Sequence, residues 1–379
     1  MTGAPTTVRS VYVHAPFCAR RCTYCDFAVT VRRTGDVEGW LRALRAEWSS
    51  IEREGLFEAA ESLDTLYVGG GTPSLLGPTA MEGLRDIVGR DRVTDSMLEW
   101  TAEANPESLT EEVAAGWAAA GVNRVSLGVQ SFDDEALRWM GRLHGPEGPA
   151  RAVAAARAAG ISNISVDLIF GLPAGVGRSW ADDLDGALAL DVPHVSLYGL
   201  TVESGTPLGR AVREGREIPV DEDRYREEFL LACERLCEAG YEHYEVSNFA
   251  RPGAEARHNA VYWKGLPYLG LGNGAHSYAP PVRRWNTRSW ERYRDRVAAG
   301  QSPEDSREVV SGEAAALEGA WLGLRTRDGI PTPPRGSKEE SLASQWLAEG
   351  LAVVEGGRLR LTPEGWLLLD ALAVDWVGG

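Results

Sequence analysis

Between residues 11 and 200 the chain repeats one unit, a short apolar strand followed by an amphipathic helix. Strands are expected at 11–13, 63–68, 98–102, 124–128, 163–169 and 194–200, and helices at 37–54, 111–120, 133–140, 149–159 and 179–190. The first helix shows the pattern best, since Trp40, Leu41, Leu44, Trp48 and Ile51 recur at helical spacing. Repeated β-α units imply a parallel sheet with right-handed crossovers. The expected fold class is α/β: a partial (β/α)6 barrel of TIM type, with functional loops at the carboxyl ends of its strands, and an appended small domain.

The loop after the first strand carries three of the chain's five cysteines, Cys18, Cys22 and Cys25. Cysteine thiolates are the usual ligands of a 4Fe-4S cube, and three of them leave one iron corner open. A saturated cluster moves electrons only, whereas an open iron also binds and activates a small molecule. A structural zinc site is the competing reading, with His14 as its fourth ligand; His14 could equally be a packed or surface residue. A disulfide framework is disfavoured by so few cysteines in 379 residues. The spacing, with Tyr24 just before Cys25, resembles the signature of the radical S-adenosylmethionine (SAM) enzymes. That resemblance implies that SAM closes the open iron and is cleaved by one electron to a radical.

Each expected strand ends in something polar or glycine-rich. The second runs into Gly69-Gly70-Gly71-Thr72, where the backbone can approach a ligand closely and offer N–H groups. Glu103 and Asn105 follow the third strand, Gln130 and Ser131 the fourth, and Asp167 lies in the fifth. Any one of them could be a cap or turn residue. Their recurrence at successive strand ends favours a ligand site, in which a glutamate pairs with an ammonium, an aspartate or glutamine bonds a ribose, and Arg142 grips a carboxylate. Arg20 and Arg21 either bias the field toward an anionic cluster or are simply solvated.

This strand and loop series resembles the oxygen-independent coproporphyrinogen III oxidase family over nearly the whole chain. The resemblance implies SAM contacts at Tyr12, Tyr24, Gly70, Gly71, Thr72, Glu103, Gln130, Arg142 and Asp167, and room for a second SAM. Decarboxylating members carry a further cysteine two positions after the third ligand and a long preceding segment; here Asp26-Phe27 follows Cys25 and the cluster begins at Cys18. The stretch His258, Asn259, Tyr262, Trp263 is similar instead to a motif of the family's heme-chaperone branch. From the residues alone, Tyr262 and Trp263 could be packing and His258 a capping residue. The resemblance implies heme at these four residues and a heme-acceptor protein as partner. Radical methyltransferases, coproporphyrinogen III oxidase-like oxidoreductases and heme-degrading enzymes are the enzyme alternatives.

The core is expected over 8–220, with 210–219 as a charged connection, and an extension carrying the heme motif over 221–300. The extension opens on a helix at 222–239, whose Cys233 and Cys237 lie one turn apart; buried small residues are the better reading than a metal pair. His276, in a glycine loop, is a second candidate heme ligand. A polar break at 301–306 precedes a C-terminal domain, 307–377, whose helices and hairpin around Glu355-Gly356-Gly357 suggest a winged-helix-like lid or docking surface.

The formal charge of −16 argues against nucleic acid or anionic lipid as partner. No basic-then-apolar leader and no bilayer-length apolar run are present, so a cytoplasmic protein is expected, touching membranes only through a partner.

Overall fold

The computed structural model describes residues 4–378. Six parallel strands stand side by side in chain order: β1 (Ser10–Ala15), β2 (Thr65–Gly70), β3 (Glu99–Ala104), β4 (Arg124–Gln130), β5 (Asn163–Phe170) and β6 (His194–Gly199). Leu269–Leu271 adds a parallel edge beside β1, and Asn248–Ala250 an antiparallel edge beside β6, itself paired with Glu242–Glu245. The helices of this half are α1 (Val37–Glu54), α2 (Ala80–Val88), α3 (Glu111–Ala120), α4 (Asp134–Met140), α5 (Gly148–Ala158) and α6 (Trp180–Ala189). Such a curved sheet, with helices between its strands, is the expected partial (β/α)6 barrel.

Residue parity decides what each face of the sheet does, because successive side chains of a strand point to opposite faces. One set, Val11, Val13, Leu66, Val68, Trp100, Ala102, Val125, Leu127, Val166, Leu168 and Val195, is fully buried in the main apolar core. The alternate set is polar: Tyr12, Tyr67, Thr101, Glu103, Arg124, Ser126, Ser165, Asp167, His194, Ser196 and Tyr198. Register lines these polar positions up across neighbours, Tyr12 with Tyr67, Tyr67 with Thr101, Glu103 with Ser126, Ser126 with Ser165 and Asp167 with Ser196. A barrel usually fills its interior with branched apolar residues; this one lines it with hydroxyls and carboxyls. Tyr198 lies inside this lining yet is 46 % exposed, so the lumen is open to solvent at its level.

Downstream come α7 (Pro207–Arg213), α8 (Glu222–Glu238), α9 (Arg257–Trp263) and α10 (Trp290–Ala298). The charged stretch expected as a connection at 210–219 thus begins inside a helix, started by Thr206, whose hydroxyl accepts from the Gly209 N–H, and by Pro207 at the first helical position. The polar stretch 301–306 is likewise part strand: Glu304–Val309 pairs with Val282–Asn286, which pairs with His276–Ala279. After it, α11 (Gly312–Leu324), α12 (Lys338–Ala348), the hairpin Ala352–Glu355 with Arg358–Leu361, α13 (Pro363–Leu367) and α14 (Leu369–Gly378) follow the expected winged-helix-like order.

Candidate functional site

The cysteine loop leaves the carboxyl end of β1. Its start is laced to the glycine turn after β2, since the N–H groups of Gly71 and Thr72 donate to Ala15 O (2.7 Å) and Phe17 O (2.8 Å). Gly71 is obligatory here because a Cβ would sit 2.7 Å from both carbonyl oxygens. Gly70 takes φ +105°, a region closed to L side chains, and its N–H donates to Glu103 Oε2 (2.9 Å). The expectation that these N–H groups face a ligand is therefore corrected: they are engaged within the chain, and the glycines serve close approach.

Cys18, Cys22 and Cys25 are free and half-buried. The Thr72 hydroxyl donates to Cys18 Sγ (3.5 Å), and Arg142 Nη1 lies 3.7 Å from Cys22 Sγ. Burial pushes the Cys18 thiol up to about 11, so its thiolate needs a nearby positive centre. Iron supplies one, and three thiols on one loop with two donors aimed at their sulfurs fit a 4Fe-4S cluster. The zinc alternative fits worse. Both His14 ring nitrogens are engaged, Nδ1 with Tyr12 Oη (3.1 Å) and Nε2 with Ala28 O (3.0 Å).

The far side of the loop is held as firmly. Asn273, fully buried, donates through Nδ2 to Ala28 O and Arg288 O (3.0 Å each). The preceding Gly272 N–H donates to the buried Glu47 (2.8 Å), which also accepts from Tyr293 (2.6 Å) and Asn286 (2.5 Å). Tyr24 packs against Ala136, Met140, Ile169 and Leu172. The glycine loop around 270–274 is thus a fixed brace rather than a flexible element.

The SAM residues implied by the sequence largely converge. Glu103 accepts from the Tyr67 hydroxyl at Oε1 (2.8 Å) as well as from Gly70, and Tyr12 stacks on Tyr67 at 6.0 Å. Burial drives the Glu103 carboxyl up to about 7 and that of Asp167 up to about 6, against hydrogen bonds that pull both down. Two buried carboxyls with no cation paired to them are receptors for an ammonium and for hydroxyl donors, which fits SAM. Asp167 accepts from Ser126 (3.1 and 3.2 Å). Gln130 adopts φ +69° at the end of β4, a strained backbone for a side-chain-bearing residue. Arg142 does not reach out for a carboxylate; Nη2 donates to Asn105 Oδ1 (2.7 Å) and Gly128 O (2.6 Å), tying the ends of β3 and β4 to the cysteine loop, while its Nε is buried without a partner.

The heme-motif residues lie elsewhere. α9 begins on Glu99 at the amino end of β3, whose carboxylate accepts from the N–H groups of Arg257 (3.0 Å) and His258 (2.9 Å). His258 is 1 % exposed, stacked on Tyr67 at 5.0 Å, with Nδ1 2.7 Å from Thr65 Oγ1 and Nε2 2.9 Å from Tyr262 Oη. Burial brings its pKa down to about 3, leaving a neutral imidazole. Asn259 is half-buried; Trp263 is covered by Arg325, whose Cζ sits 4.0 Å from the ring and whose guanidinium pairs with the buried Glu245 (2.8 Å). His276 is exposed on an outer hairpin, stacked on Trp285. Cys233 is buried 3.7 Å from His243 and Cys237 is exposed, in line with packing for the first. Sequence reasoning passed over Tyr67, Ser126 and Tyr198, although the parity set by Tyr12, Glu103 and Asp167 marks them as lumen residues.

Comparison with known proteins agrees with this geometry. Residues 12–185 match the Radical SAM superfamily model. The chain is 40% identical over 371 residues to the heme chaperone HemW of Mycobacterium tuberculosis (strain ATCC 25618 / H37Rv), covering 97% of this chain and 94% of that one. The chain belongs to the HemW family of radical SAM proteins. The HemW of Bacillus subtilis (strain 168) is 34% identical, over 85% of each chain. Among solved structures, the radical SAM coproporphyrinogen III oxidase HemN of Escherichia coli superposes with a TM-score of 0.81 at 21% identity, over 99% of this chain and 90% of that one, which establishes the common fold. Membership in the HemW family implies a 4Fe-4S cluster and SAM, and the residues above fit both.

Proposed function

We propose that this protein is a heme chaperone that binds a 4Fe-4S cluster, SAM and heme and passes the heme to an acceptor protein. The observation carrying this reading is the likeness, over nearly the full chain, to relatives named heme chaperone HemW. In this reading residues 8–220 hold cluster and SAM, 221–300 hold the heme motif, and 307–377 dock the acceptor. When bound, the cluster supplies one electron and an open iron to SAM. Cys18, Cys22 and Cys25 ligate it, Arg142 offsets the charge at Cys22, Glu103 takes the ammonium of SAM, Asp167 and Gln130 take ribose hydroxyls, and Tyr12, Tyr24, Gly70, Gly71 and Thr72 shape the walls. Thiols that must stay reduced support a reducing compartment such as the cytoplasm.

His258 is suited to iron because its imidazole is neutral, so a nitrogen lone pair is available. Thr65 fixes Nδ1, which leaves Nε2 as the ligating nitrogen once the Tyr262 hydroxyl is displaced. Trp263, now covered by Arg325, and Asn259 would help hold the heme. Hemin titrated into the reconstituted protein should give a saturable Soret shift that weakens in His258→Ala. Hemin binding without saturation rejects the reading, and decarboxylation of coproporphyrinogen on anaerobic reduction with SAM replaces it by the oxidase.

A further inference from the structure

Arg124 opens β4 at the amino end of the barrel and is 2 % exposed. Its guanidinium forms no ion pair and no hydrogen bond with any described residue, and its Nε is buried without a partner. Directly across the register stands Thr101, fully buried, whose hydroxyl also has no partner. A buried Nε and a buried hydroxyl left without acceptors, beside Nη groups that no described residue engages, are unfavourable for a fold to keep unless something accepts from them.

The surroundings show that this is no shortage of polar neighbours. His194 is held between Ser165 (2.7 Å) and Tyr244 (2.8 Å), and His258 between Thr65 and Tyr262. Glu99 caps α9, Glu103 serves Tyr67 and Gly70, and Asp167 serves Ser126. Burial first, and then the charge of Arg124, lowers His194 and His258, and the same charge opposes the burial-driven rise of Asp167. These acceptors are engaged with other groups, and Arg124 and Thr101 stand side by side as donors with no partner among the described residues. Six residues of extended strand separate Arg124 from Gln130, about 20 Å, so this spot is distinct from the ligand groups at the cluster end.

We propose that Arg124 and Thr101 form a carboxylate-binding site on the lumen floor. The guanidinium takes the carboxylate through two N–H groups and the Thr101 hydroxyl donates to the same oxygens. The carboxylate comes from a propionate of heme held at His258, an assignment that rests on the chaperone reading, or from a free small carboxylate.

Full-length reconstituted protein and its Arg124→Gln and Arg124→Lys variants are titrated with hemin, with hemin dimethyl ester and with sodium acetate. If the propionate is the source, hemin binds the native protein tighter than its ester by roughly ten- to a hundredfold, the gap closes in Arg124→Gln, and Arg124→Lys restores part of it. If the source is free, hemin and ester bind alike while acetate stabilises the native protein saturably and Arg124→Gln not at all. A ligand-free Arg124→Gln that melts no lower than native supports the site, because an uncompensated charge has been removed. A fall of several degrees assigns Arg124 to the fold and overturns the proposal, as does an unchanged response to all three probes. Hemin that fails to saturate the native protein rejects the chaperone reading alone, and the acetate titration then decides the site.

Discussion

At the carboxyl end of the barrel, Cys18, Cys22 and Cys25 are half-exposed thiols on a loop braced from outside by Asn273 and from inside by the glycine turn. At the amino end, His258 is sealed, with both ring nitrogens engaged. The scaffold bonds of the first end are already made, and its thiols are free, with Thr72 and Arg142 donating toward Cys18 and Cys22. The second must move to receive a group. In the proposed reading the difference means that heme could reach His258 only after a rearrangement of Tyr262 and of the Arg325 cover on Trp263, while the cysteine loop needs no such change.

The largest effect expected is at the cysteines. Replacing Cys18, Cys22 or Cys25 by alanine should abolish the broad violet absorbance and the EPR signal of the reconstituted cluster, while His258→Ala should leave both intact. Equal loss in both would show the two ends to be one unit. Next, Gly70→Ala puts a methyl into the His14 ring at a φ of +105°. Strain of this kind costs roughly 2–3 kcal/mol, to be read as a lower urea midpoint together with weakened SAM binding.

Glu103→Gln should have a pH-dependent effect. The carboxyl rises from 4.5 in the free side chain to about 7 in the fold, so the folded protein keeps a proton that the unfolded chain has lost. Stability therefore falls as pH rises through this window. Removing the charge should flatten that slope and stabilise the ligand-free protein above pH 7 by roughly 3 kcal/mol, as an order of magnitude. The same variant should bind SAM about tenfold or more weakly, and the proton released on SAM binding by the native protein should vanish in calorimetry across buffers. The smallest expected effect is Asn273→Ala, about 1–3 kcal/mol of lost hydrogen bonding, seen as faster cluster loss in air with SAM affinity little changed.

Local patterns carried much of this. The 37–54 helix and the six strands follow from spacing that any strand or helix must show, and the three cysteines favour a cluster by their separation, with zinc as the competing reading until the family resemblance is added. α7 escaped notice because Pro207 and a charged run look like a connection, while its start depends on a hydroxyl cap at Thr206. The motif at His258 was visible, but its direction was not: that is set by Thr65 and Glu99, 193 and 159 residues away along the chain. Arg124 carried no signal either, since an arginine opening a strand reads as a solvent-facing residue. The glycine turn was read as a place where backbone approaches a ligand, whereas its close approach and its N–H groups are taken by Ala15 and Phe17 across the sheet, which no local pattern reveals.

The strict alternation along β1 to β6 makes the reading frame of each strand inseparable from the tunnel it encloses. Deleting one residue from the middle of β5 would turn Asp167 toward the helices and send Val166 or Leu168 inward, so the passage would lose its wetting and the shell its dryness together. Length in these strands is therefore guarded more tightly than the identity of most side chains they carry, and tolerated insertions belong in the outer turns between helix and strand.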